Sequence, residues 1–165
     1  MPDLHVLRPF LPAVTANRLR GDGWQVCELD GDADIADSVS LLVDIAAATY
    51  APALLASVVD GEHAAVEGFS GLSGYWRTSL AGGPAPGPLP VGEVARHLVD
   101  WAAAARRTVD AEPITELLRA PAPQRVDGAF EELLSLLGLA GTADTTPETL
   151  DGRAGCVTIR RWTLG

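Results

Sequence analysis

The sequence predicts an α+β fold: a mainly antiparallel sheet of four to six strands, with helices on one face or end. Three observations predict it. Residues 24–80 read in the order β-α-β-β-β from their apolar periodicity and turn signals. A Pro/Gly-rich stretch, AGGPAPGPLP (81–90), then interrupts regular structure. Beyond it, apolar residues recur at helical spacing over about 91–139, before a strand-like run, AGCVTIRRWTL (154–164), near the end. We expect that run to return to the sheet. Residues 1–165 would then form a single domain, with 81–90 separating a sheet-rich half from a helical half.

The elements follow in order. LHVLR (4–8) reads as a short strand, and PAVTANRLRG (12–21) as a short helix that starts at Pro12 and stops at Gly21. WQVCELDG (24–31) reads as a strand ending in an Asp-Gly turn. Asp37 or Asp34 can cap the next helix, roughly 37–50, through a side-chain oxygen. That helix is apolar nearly all round, with a narrow polar stripe at Asp37, Ser40 and Asp44, so it should pack on a sheet with one strip wet. Pro52 ends it.

Asp60-Gly61 then joins two apolar runs as a two-residue hairpin turn, which pairs Val59 with Glu62, Val58 with His63 and Leu55 with Val66. GYWRTSL (74–80) reads as the third strand of a meander, with Trp76, Thr78 and Leu80 on one face and Tyr75, Arg77 and Ser79 on the other. After the linker, one helix spans 91–109 with a stripe at Val91, Val94, Leu98, Trp101 and Ala105. A short helix opens at Asp110 or Glu112 with Pro113, and a third runs from an Asp127 cap to Gly138. GTADTTPETLDG (141–152) reads as loop or a single turn.

Composition limits the functions. The chain has 165 residues, is 47% hydrophobic and carries a net charge of −10, which argues against a nucleic-acid partner. All twelve basic residues are Arg. Cys27 and Cys156 make neither a disulfide framework nor a zinc site. No secretory leader is visible, and no apolar run approaches the roughly 18 residues that span a bilayer. The expected location is cytoplasmic, with no membrane partner.

ELDGDADIAD (28–37) is the densest acidic stretch. As a calcium loop it would use Asp30, Asp32 and Asp34 at positions 1, 3 and 5. Position 6 is then Ile35 instead of Gly, and position 12 is Leu41 instead of Glu, so that reading fails. Glu93 and His97 have a helical i, i+4 spacing that can hold a metal, but no third ligand is near in sequence. His63 and Glu67 lie on one strand, roughly 13 Å apart at a 3.3 Å rise. No nucleophile elbow, phosphate loop, HExxH or CxxC occurs. We expect no catalytic residue, cofactor or metal.

The charge is segregated. Between Arg20 and Arg77 there is no Arg or Lys, while ten acids lie there. The leading expectation is an inhibitor- or immunity-like interaction protein that presents Glu28, Asp30, Asp32, Asp34, Asp37, Asp60 and Glu62 to a basic partner. An alternative is a small-molecule site or enzyme between sheet and helices, lined by His63, Glu67, Tyr75, Trp76, Arg77 and His97. A homodimer through an exposed strand edge is a third reading.

Overall fold

The computed structural model describes residues 14–20, 24–30, 37–59, 62–80, 89–120, 126–139, 143–145 and 156–162. The strand expected at 4–8 lies outside them. The fold is α+β, and the described residues include four helices and a three-stranded antiparallel meander.

The meander comprises β3 (Ala53–Val59), β4 (His63–Ser70) and β5 (Gly74–Leu80). Before it come β1 (Val14–Arg20), β2 (Trp24–Asp30) and helix α1 (Ser38–Thr49). After it come α2 (Val91–Ala104), α3 (Ala111–Arg119), α4 (Val126–Leu136), the short β6 (Ala143–Thr145) and β7 (Cys156–Trp162). Across the sheet the order is β5-β4-β3-β7-β2-β1-β6, seven strands among the described residues instead of four to six. The sheet is mixed, because β7 runs parallel to both β2 and β3.

Several expectations are corrected. Residues 14–20 form a strand, not a helix, paired antiparallel with β2. A helix as short as the one expected over 12–21 is marginal on its own, whereas a strand at 14–20 gains a whole ladder with β2. Residues 143–145 are a strand beside β1, where loop was expected. Helix α2 ends at Ala104, five residues early. Arg106 turns left-handed at φ 60°, and the Arg107 N–H closes back on the Ala102 carbonyl at 2.9 Å. Helix α4 begins at Val126, before the Asp127 expected as its cap. Gly138, at φ 79°, ends it as expected.

The β3–β4 hairpin differs by one residue. Val59 pairs with His63, Val58 with Ala64 and Leu55 with Glu67, so three residues connect the strands instead of two. Since side chains alternate across a sheet, this slip decides what shares a face. Glu67 thereby joins Leu55 and Arg77 in one row, and Val66 joins Ala56 and Thr78 in the next.

Helices cover both faces of the meander, not one. On the first face, Leu54, Ala56, Val66, Trp76 and Leu80 pack with Leu98, Trp101, Ile114, Phe130 and Leu134 from α2–α4. The Trp101 Nε1–H donates to the Ala53 carbonyl at 3.0 Å, tying α2 to the start of β3. Trp76 lies over Gly68, where a Cβ would collide with its ring, so only glycine fits beneath the indole. On the second face, Leu41, Leu42 and Ile45 of α1 pack on Ala53, Leu55 and Phe69.

Candidate functional site

The second face carries the groups with chemical potential, and α1 positions them. Its start is fixed by Asp37, one of the two expected caps, Asp34 being the other. Asp37 Oδ1 accepts from the Ser40 N–H at 3.1 Å and Oδ2 from the Ser40 hydroxyl at 2.7 Å. These bonds from Ser40 hold the Asp37 carboxyl below the ordinary aspartate range, because they favour its charged form.

A polar cluster lies under the first turn of α1. Glu67 is buried at 7% exposure, in the row of Leu55 and Arg77. Its Oε1 accepts from the Tyr75 hydroxyl at 2.5 Å and from the Ser38 hydroxyl at 2.8 Å. One carboxyl oxygen thus joins three elements: β4, β5 and α1. Burial first, then the hydrogen bond and charge of Glu67, push the Tyr75 phenol well above the ordinary tyrosine range, with Arg77 acting in the opposite sense. The arrangement latches the helix start to the sheet. It is a positioning device, since Tyr75 keeps its proton and donates a hydrogen bond to Glu67.

The other end of α1 is unusual. Tyr50 caps it in the left-handed conformation, φ 54° and ψ 30°, with 91% of the residue exposed. Glycine is the usual residue there, because a Cβ clashes in that region. Tyr50 continues an apolar stripe that points away from the sheet: Val39, Val43 and Ala47, spaced four residues apart. Val39 and Val43 are exposed, as is Leu72, at 66%, in the turn between β4 and β5. Between this stripe and that turn lies a groove of about 280 Å³, lined by Val43, Ala47, Tyr50, Phe69, Gly71 and Ala104 among others.

Family models, curated proteins and solved structures yield no match to this chain. The site is therefore read from its own geometry.

The six residues expected to line a pocket do not converge. Glu67, Tyr75 and Arg77 share the α1 face, with Arg77 exposed. His63 is on the same face, four residues from Glu67 along β4, with its Nδ1 buried and without a partner among the described residues. Trp76 is on the opposite face, 1% exposed and packed in the core that fills the space between β3–β5 and α2–α4. His97 is on α2, where its Nδ1 meets the Ser73 carbonyl at 2.9 Å, while Glu93 pairs with Arg96 at 3.9 Å. Among the described residues, no group of three or more His, Cys, Asp or Glu can hold a metal.

Of the seven expected partner-binding acids, Asp32, Asp34 and Asp60 lie outside the described residues. Asp37 and Glu62 are exposed. Glu28 and Asp30 are on β2, where register sets Asp30 beside Arg161 and Glu28 beside Ile159 of β7. The strand that carries Arg160 and Arg161 thus pairs with Leu29 and Asp30 at the start of the acidic segment, a neighbour that a linear count of charges does not reveal. The exposed stripe on α1 was also missed. Its signal was the even spread of apolar residues around 37–50, which leaves some of them facing water whichever side packs. No described helix is long and apolar enough to cross a membrane.

Proposed function

We propose that this chain is an interaction protein that binds a basic partner protein through the outward side of α1 and the acidic segment that precedes it in sequence. Residues 1–165 act as one domain in this reading, with β7 as the tie between the two halves, and the protein works by occlusion, as inhibitor and immunity proteins do. The observation that carries the proposal is Tyr50, a non-glycine residue held left-handed and almost wholly exposed. An aromatic kept in a strained position, with no packing of its own, points to a role in contact with another molecule. Exposed Val39, Val43 and Leu72 extend the same surface. Exposed Asp37 and Asp44 on α1 supply negative charge beside it, in a chain of net charge −10.

The test is capture of partners on the intact protein, with identification by mass spectrometry, against a triple variant Asp32→Arg, Asp34→Arg and Asp44→Arg. We expect the wild type to retain a basic protein. The variant should retain at least tenfold less at low salt, with the gap closing as salt screens the charges. Equal retention by both proteins at low salt, or retention only of acidic proteins, overturns the proposal.

A further inference from the structure

Resting on the reading of the chain as a binder of a basic protein, we infer that the groove between α1 and the β4–β5 turn docks an amphipathic helix of that partner, one with an apolar stripe and a Lys/Arg flank. The groove volume, about 280 Å³, falls just below the roughly 300–1,000 Å³ typical of small-molecule sites. It suits a single large apolar side chain. Its lining is small where it needs to be shallow, at Ala47, Gly71 and Ala104, and aromatic at its walls, Tyr50 and Phe69. The stripe from Val39 to Tyr50 extends the contact by about 16 Å at 1.5 Å per residue, enough for two to three turns of a partner helix.

Charge selects the occupant. No described residue that lines the groove is charged, so its flanks set the sign. Asp44 is exposed on α1 one turn before the groove residue Ala47, and exposed Asp100 lies one turn before Ala104 on α2. Among the described residues these two acids outnumber the one exposed base nearby, Arg106, two residues beyond Ala104. A second copy would bring its own net charge of −10, and a two-fold pairing along α1 would set Asp44 near Asp44. An anionic lipid surface is opposed in the same way. A cationic helix meets both the apolar stripe and the acidic flanks.

The intact protein is titrated against three labelled 18-residue peptides by fluorescence anisotropy: an amphipathic Leu/Lys helix, a scrambled isomer of it, and a Leu/Glu counterpart. The Leu/Lys helix should bind, the isomer at least tenfold more weakly, and the Leu/Glu peptide not at all. Ala47→Trp, which fills the groove without a change in charge, should raise the Kd at least tenfold. Val43→Asn, which removes an apolar wall at an exposed position, should raise it in the same direction. Equal binding of the isomer, or unchanged binding to both groove variants, overturns the helix-docking inference. If Asp44→Arg still abolishes peptide binding in that case, the basic-partner reading survives alone. Sedimentation that shows a dimer abolished by Ala47→Trp assigns the groove to a second copy and also overturns the inference.

Discussion

Tyr50 concentrates the conflict between stability and display. Its backbone occupies the region where glycine costs least, and its side chain buries almost nothing. Tyr50→Gly should therefore stabilise the fold by about 1 kcal/mol, read as a shift in the urea midpoint at unchanged slope. The same substitution should weaken partner capture, because it removes the anchor. Stabilisation without loss of capture would make Tyr50 an unselected surface residue. Sequence signalled the end of α1 through Pro52, but not the exposure of Tyr50. That depends on where β3 and the 71–73 turn lie, and nothing near Tyr50 in the chain encodes it. Gly68 is similar. It reads as an unremarkable strand glycine until Trp76 from the next strand lies across it.

Among the elements, α1 was the most legible, because its cap is local: Asp37 bonds to Ser40 three residues away. The latch beneath it was not legible, since Ser38, Glu67 and Tyr75 come from three elements. It has a measurable consequence. Tyr75 keeps its proton to a pH at which an unfolded tyrosine has lost it. The folded state then binds more protons than the unfolded state above the ordinary tyrosine value, so stability is full below that value and falls as pH rises beyond it. Ultraviolet titration should show one phenol, assigned by Tyr75→Phe, ionising well above the normal range. In Glu67→Gln it should move down without returning to normal, because burial, the larger cause, remains. An unchanged midpoint in Glu67→Gln would remove Glu67 from the account. The hairpin shows how narrowly such a site is set. With a two-residue turn, Leu55 would face Val66, and Glu67 would not share its row with Leu55 as it does.

At the scale of the molecule, one core joins the meander to α2–α4. Phe130 lies in it at 1% exposure, far in sequence from the Trp76 and Leu80 that share that core. Phe130→Ala should cost about 3–5 kcal/mol, and tryptophan fluorescence and far-ultraviolet circular dichroism should still report one coincident transition. Separate transitions would mean that the halves fold independently. The sequence by itself determined the α+β class, the β-α-β-β-β order over 24–80, the alternating faces of β5, the ends of α1 and the stop of α4 at Gly138. Each of these rests on periodicity, a cap or a breaker within a few residues. Only the tertiary structure decided that 14–20 is a strand, that β7 runs parallel between β2 and β3, and that Arg160 and Arg161 fall in register with Leu29 and Asp30. Only it decided which side of an almost uniformly apolar α1 stays in water. Strand pairing and face selection are long-range choices, made by ladder partners and packing surfaces that no local pattern specifies.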